Sequence, residues 1–391
     1  MAIQQSLAPP LENPTQRILS LDVFRGATIA AMLLVNNPGD WGSIYAPFEH
    51  AKWNGWTFTD VIFPFFLWIV GVAMTLSFTK RIGRGVSRKN LALHSVKRSV
   101  ILFALGLFLT GFPFGLLFGD HFSLATWRIP GVLQRIALCS LLASFAYLYT
   151  STRSQILITA VLLAAYWLLV SLVPVPGYGA GILEPKGCLC WYVDSNLLGG
   201  HTWIWAPTPG FDPEGIVSTI PAIATTMFGI FTGCFLQSAR SQEEKTAWMF
   251  VAGNALLLVG TVMDNWLPIN KNMWTSPYAV FMAGLALNVF ACCYWLFDVR
   301  GVRRATSFFA AFGLNAISIY VVSEFLGKVV DLISWQTSGG KPATLKGIVY
   351  ENVYASWLAP RNASLLFALS WTLAMFAFAY AMFKRRLVVK L

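Results

Sequence analysis

Ten stretches of about 20 mostly apolar residues run the length of the chain, near 18–37, 57–79, 99–119, 131–150, 156–174, 215–237, 246–264, 276–297, 305–325 and 363–383. A helix of that length rises about 30 Å, the thickness of a bilayer's hydrocarbon core. Inside lipid only a helix or a closed barrel satisfies every backbone N–H and C=O. The composition agrees: 56% of the 391 residues are hydrophobic, 12% are charged, and there are 30 Phe and 16 Trp. A soluble domain carries about a quarter charged residues. These numbers exclude a disordered chain, a fibrous protein and an ordinary cytosolic enzyme. The expected fold is all-α, a polytopic membrane bundle of about ten transmembrane helices.

The net charge of +11 would hint at nucleic acid in a soluble protein. Here it follows from basic residues gathering in cytoplasmic loops, and no soluble basic stretch interleaves with exposed aromatics, so no nucleic-acid partner is expected. With the N-terminus inside, 19 of the 28 Lys and Arg fall on the cytoplasmic side. Both termini are then cytoplasmic. Residues 1–16, polar and without an apolar signal-peptide region, read as a flexible cytoplasmic tail, and 17–391 as one transmembrane domain. The long loops 38–56, 175–214 and 326–362, with the shorter 120–130 and 265–275, face outward and carry His50, His121 and His201, whereas His94 falls in a basic cytoplasmic loop. No internal repeat, the usual mark of a secondary transporter, is visible.

Helix starts are punctuated. Thr57-Phe58-Thr59-Asp60 has capping-box spacing, Asp212-Pro213-Glu214-Gly215 offers an N-cap acid followed by Pro, and Ser276-Pro277 opens another helix. Cys139, Cys234, Cys292 and Cys293 lie in apolar segments; Cys188 and Cys190 share an external loop where oxidation is conceivable. No metal-ligand spacing, phosphate-binding glycine loop or Ser-His-Asp order is present, so no metal is expected.

Candidate chemistry concentrates between residues 17 and 66. Asp22 and Arg25 stand three apart on one helix face and can pair. Asn36 and Asn37 end the first span before Pro38-Gly39. His50 follows among Trp41, Tyr45, Phe48, Trp53 and Trp56, and Asp60 opens the second span. Further groups are Trp127–Arg135, with Arg128, Gln134 and Arg135; Tyr192–Asp194 with Gly199-Gly200-His201; Pro268–Pro277, with Lys271; and Phe312–Tyr320, with Asn315. Arg135 falls one turn inside the membrane, where a cation needs an acid, carbonyls or an anion.

Taken together, SLDVFRG (20–26), HAKWNGWTFTDVIFPFF (50–66), RIPGVLQRI (128–136), YVDSNLLGGH (192–201), FDPEG (211–215), PINKNMWTSPY (268–278) and FGLNAISIY (312–320) resemble the transmembrane acyltransferases typified by heparan-α-glucosaminide N-acetyltransferase. The resemblance implies a bacterial relative in the inner (plasma) membrane that moves acetyl from cytosolic acetyl-CoA to the amine of a glucosamine-type sugar outside. It puts the catalytic histidine at His50 and its accompanying asparagine at Asn36; Asp60 joins them as a candidate. Set beside the lysosomal enzyme, the chain is expected to have no additional N-terminal lumenal domain or preceding span and a shorter loop at 175–214.

Within that reading, CoA phosphates need Arg or Lys contacts. Arg25 and the basic cluster at 80–98 are candidates on the cytoplasmic side, and Arg128, Gln134, Arg135 and Asn315 deeper in the bundle. Trp53, Asn54, Asp194, His201 and Lys271 are candidate acceptor contacts. An imidazole at His50 suits removal of an amine proton, and Asn36 carries a donor for orienting the ring or an oxyanion. Direct transfer and an acetyl-imidazole intermediate both fit. The alternatives are a sugar or lipid-intermediate transporter or flippase, and a non-catalytic scaffold. A homodimer through lipid-facing aromatics is compatible with the composition.

Overall fold

A computed structural model describes residues 18–115, 122–304, 306–336 and 342–389; the tail expected at 1–16, Arg17 and His121 lie outside them. The helices are α1 (Leu19–Asn36), α2 (Phe58–Ile82), α3 (Arg88–Gly111), α4 (Val132–Tyr149), α5 (Thr152–Leu172), α6 (Leu189–Leu197), α7 (Ile216–Leu236), α8 (Gln242–Met263), α9 (Ser276–Tyr294), α10 (Thr306–Leu314), α11 (Ala316–Leu332), α12 (Leu345–Val349) and α13 (Pro360–Lys384). Among the described residues nine helices are long and apolar enough to cross a membrane, or ten if the bent pair α10–α11 is one span. A two-stranded antiparallel hairpin, β1 (Ser334–Gln336) with β2 (Pro342–Thr344), decorates one loop.

Short turns at 83–87, 150–151 and 237–241 join α2 to α3, α4 to α5 and α7 to α8. They define one end of the bundle, rich in Lys and Arg; the long connections gather at the other, loop-rich end. At the basic end, Ser87, Ser151 and Ser241 each accept a backbone N–H from the first turn of α3, α5 and α8, supplying the acceptors those orphan amides need. At the loop-rich end the Thr57–Asp60 capping box opens α2 as expected.

α1, α2, α7 and α9 form the interior, and α5, α8 and α13 turn much of their apolar surface outward. Phe24, Trp68 and Phe290 meet at the centre, with Trp68 5.9 Å from Phe24 and 5.3 Å from Phe290 between ring centroids. Lipid gives apolar helices no hydrophobic reason to associate, so close backbone approach matters. It is present at two crossings. A Cβ on Gly71 would lie 2.1 Å from the Thr226 carbonyl oxygen, and one on Gly229 2.0 Å from that of Trp68, so α2 and α7 touch backbone to backbone. Gly26 and Gly313 do the same where α10 crosses α1.

Four expectations need correction. The third span begins at Arg88 rather than 99 and ends at Gly111, so His94, Lys97 and Arg98 sit on a helix, not a loop. The span expected at 305–325 is broken at Asn315 and bent by 76°, because the Asn315 side chain turns to the backbone of Leu387 and Val389. The 175–214 loop contains α6, and 326–362 contains the end of α11, the hairpin, α12 and a π-helical turn at Tyr350–Ala355. α7 is capped at Gly215, not by Asp212; the carboxylate receiving its Ile216 N–H (2.9 Å) is Asp194, brought over by α6.

Candidate active site

The loop ahead of α2 is tied down at nearly every residue. Thr59 Oγ1 donates to the Phe48 carbonyl (2.7 Å), Gly55 N–H to that of Ile269 (2.7 Å) and Trp53 Nε1 to that of Leu183 (2.8 Å). Asn54 Oδ1 accepts from Asn270 Nδ2 at 3.0 Å. Trp53 and Asn54 are therefore anchors of this loop on its neighbours, and Gly55 takes φ +88°, a left-handed conformation that favours glycine.

What the loop presents is His50. Its Nδ1 lies 2.6 Å from Asp60 Oδ1, and Asp60 Oδ2 accepts the N–H of Ala51 (2.9 Å) and of Thr57 (3.0 Å). The Asp60 side chain is 1% exposed and the His50 side chain 49%. A carboxylate receiving this many donors acts as an acceptor, so Nδ1 carries the proton and Nε2 keeps its lone pair. Tyr278 reinforces the arrangement from α9, its hydroxyl donating to the Asp60 carbonyl at 2.6 Å.

Asn36 does not hydrogen-bond to His50. Its Nδ2 lies 3.4 Å from Glu324 Oε1 on α11. Sequence reasoning passed over Glu324, although an acid within an otherwise apolar span is itself a signal. Asn37 turns back to the Leu33 carbonyl (2.9 Å), an ordinary helix-end contact.

A cavity of about 710 Å³ enters the bundle from the basic end. Arg25, Arg81, His94 and Arg98 line it with Ile29, Met32, Phe66, Val70 and Ile136, and Asn315 and Tyr320 lie on its α10–α11 wall. Arg25 and Asp22 pair at 2.5 Å, as their spacing predicts. Arg25 and Asn315 thus share this cavity, whereas Arg128 and Gln134 line a different one of about 530 Å³ at the loop-rich end. Val132, Leu133 and Tyr320 line both.

Arg128 is engaged already. It makes a bidentate bond to Asp212 (2.8 and 2.7 Å) and another to Glu214 (2.6 Å). Although burial opposes its charge, these two acids raise the guanidinium above its ordinary pKa. Burial alone would raise Glu214 as well, but Lys271, Arg128 and Arg135 outweigh it and hold the carboxyl at about 2. Lys271 stands 3.9 Å from Glu214. Arg135, 1% exposed, donates to Ser218 Oγ (2.5 Å) and the Gly215 carbonyl (3.2 Å), with its guanidinium over Trp274 at 5.2 Å. The carbonyl and hydroxyl engage Nη2 and the aromatic face covers the group, while Nε and Nη1 are buried without a hydrogen-bond partner among the described residues.

Asp194 is fully buried at the start of α7, and desolvation pushes its carboxyl up to about 7 against the Ile216 N–H that holds it down. His201 Nδ1 bonds to the Trp127 carbonyl (2.7 Å), clamping two loops. These two side chains organise the loop-rich end. Cys188 and Cys190 are buried free thiols, and Cys188 Sγ accepts the Trp191 N–H at the start of α6.

Residues 17–269 match the family model described as heparan-alpha-glucosaminide N-acetyltransferase, catalytic. The human heparan-alpha-glucosaminide N-acetyltransferase is 30% identical over 358 residues, covering 79% of this chain and 53% of that protein. The mouse enzyme of the same name is 30% identical over 365 residues, covering 80% and 54%. The chain thus spans about half the length of the curated relatives it matches. The matched region contains Asn36, His50 and Asp60, and stops short of Tyr320 and Glu324.

Proposed function

The chain belongs to the heparan-α-glucosaminide N-acetyltransferase family, and from that premise we propose that this multi-pass membrane protein transfers acetyl from acetyl-CoA, admitted at the basic end, to the amine of a glucosamine-type sugar reaching the loop-rich end. The observation that carries the reading is the His50–Asp60 pair, a solvent-facing imidazole whose Nδ1 is held at 2.6 Å by a buried carboxylate. That is the arrangement a general base needs. The basic cavity supports the donor side: Arg25, Arg81 and Arg98 offer guanidinium groups to the diphosphate, and the apolar walls suit a pantetheine arm. By the positive-inside rule that end is cytoplasmic, the compartment that holds acetyl-CoA.

In the reaction the amine nitrogen forms a bond to the thioester carbonyl carbon. His50 Nε2 takes the proton the nitrogen sheds, the C–S bond breaks, and that proton passes to the departing CoA sulfur. Asp60 holds the imidazolium formed on the way. We propose direct transfer in a ternary complex rather than an acetyl-imidazole. Asn36 contributes through its contact with Glu324 rather than by orienting His50.

The test is turnover of radiolabelled acetyl-CoA by the purified protein with glucosamine, beside His50→Ala. Acetylated sugar from the wild type alone supports the proposal. Label retained on the protein in the absence of sugar replaces direct transfer with the covalent route. Two cavities that share Val132, Leu133 and Tyr320 in their walls also favour a transport reading, which predicts sugar uptake into vesicles without acetylation.

A further inference from the structure

The chamber at the loop-rich end, about 530 Å³, combines three kinds of surface. Trp127, Trp203 and Trp205 give it an aromatic lining, with the Arg128 guanidinium 5.5 Å from the Trp203 ring centroid. Gln134, 2% exposed, presents a side-chain nitrogen without a hydrogen-bond partner among the described residues. Room is kept for that amide by Gly106 and Gly131, where a Cβ would come within 2.1 and 2.6 Å of Gln134 Oε1. A buried donor left empty is unfavourable, and a ligand oxygen would satisfy it.

The third surface is acidic. Glu324 stands on α11 one turn beyond Tyr320 and is the acid among the residues lining this chamber. The chamber's cations make bonds of their own, although Lys328, one turn beyond Glu324, still acts on the Glu324 charge. Arg128 is bound by Asp212 and Glu214, and Lys328 Nζ donates to the carbonyls of Leu109 and Phe112 at the end of α3. Among the described residues Glu324 accepts a long contact, 3.4 Å, from Asn36. Tyr320 forms part of the wall shared with the basic cavity, so a group bound at Glu324 lies one helical turn, about 5.4 Å of rise, from the donor side.

We infer, building on the acetyl-transfer reading, that this chamber is the acceptor site and that Glu324 and Gln134 select its occupant. Glu324 receives the ammonium of an amino sugar, which gives one proton to water before its nitrogen attacks, the Gln134 amide donates to a hydroxyl or ring oxygen, and the tryptophan rings pack on the C–H surface of the sugar. A cation leaving water for a half-buried chamber needs a fixed counter-charge, which separates an amino sugar from its neutral counterpart.

The experiment is binding of glucosamine and of glucose to the purified full chain, followed by calorimetry and by quenching of tryptophan fluorescence, for the wild type, Glu324→Gln, Glu324→Asp and Gln134→Leu. Acetyl-CoA binding to each variant reports an intact bundle. Glu324→Gln is expected to weaken glucosamine at least tenfold and leave glucose unchanged. Glu324→Asp retains most of the affinity for glucosamine, and Gln134→Leu weakens both sugars several-fold. Glucosamine binding by Glu324→Gln within twofold of wild type, absence of glucosamine binding in the wild type, or equal losses in Glu324→Gln and Glu324→Asp would overturn the inference. Selective glucosamine binding without acetyl transfer would instead sink the acetyltransferase reading and leave the chamber's assignment standing.

Discussion

Asp60 serves two structures at once. It closes the first turn of α2 as half of a capping box, and it holds His50 in one tautomer. Asp60→Asn keeps an oxygen for the cap and removes the charge that stabilises an imidazolium. It should lower kcat by about 10²-fold or more while gel filtration in detergent still shows a folded protein. Steady-state rates beside His50→Ala check this, and an Asn variant with wild-type kcat would reduce Asp60 to a cap. Asp194 makes a prediction of the opposite kind, about stability. Burial raises its carboxyl from 3.8 to about 7, so the folded state binds the proton more tightly than the unfolded chain. Its contribution is complete below the lower value and is lost as pH rises through the upper one. Thermal midpoints measured from pH 4 to 8 should fall less steeply with rising pH in Asp194→Asn than in the wild type; parallel curves would mean Asp194 titrates alike in both states.

At the scale of elements, most of the bundle was legible. Nine runs of apolar residues became nine helices among the described residues, because a backbone in lipid has few other ways to satisfy itself; the Thr57 cap and the proline in the first turn of α9 are local chemistry, although Ser276 is that helix's first residue and not its cap. Breaks made by distant partners were not legible. Asn315 interrupts the α10–α11 segment by bonding to residues 387–389, and Asp194 caps a helix that starts 22 residues later. Nor could periodicity reveal which helices cross most closely. The Gly71–Gly229 contact between α2 and α7 predicts that Gly229→Leu, whose side chain would meet the Trp68 carbonyl, separates the two helices. Loss of monodisperse protein, or a melting midpoint lower by several degrees, is expected. The same change at the exposed Gly199, where a Cβ meets nothing within 4 Å, should also be disfavoured by its φ of +56°, but by far less.

Across the whole molecule two cavities approach one another from opposite ends, and function follows from what lines each. Arg81→Glu or Arg98→Glu in the basic cavity should raise the acetyl-CoA KM at least tenfold and leave the acceptor KM near wild type. Added salt should raise the wild-type donor KM in the same direction, since exposed phosphate contacts are screened; a salt-independent donor KM would argue against phosphate contacts at this mouth. Tyr320 forms part of the wall between the cavities. Tyr320→Ala should therefore admit water to the thioester and raise acetyl-CoA hydrolysis without acceptor, measured as free thiol.

The sequence by itself determined that this chain is a bundle of membrane helices, that Asp22 pairs with Arg25, and that Thr57 and Asp60 close a capping box. Each of these rests on composition or on neighbours within a few residues. Only the tertiary structure decided the partners of Asn36 and Arg128 and brought Glu324 into a chamber with Arg128 and Gln134. Those contacts join residues up to 288 positions apart. In a span, period and hydropathy state that a side chain is inside the membrane, and only the packing of the other helices states what it faces.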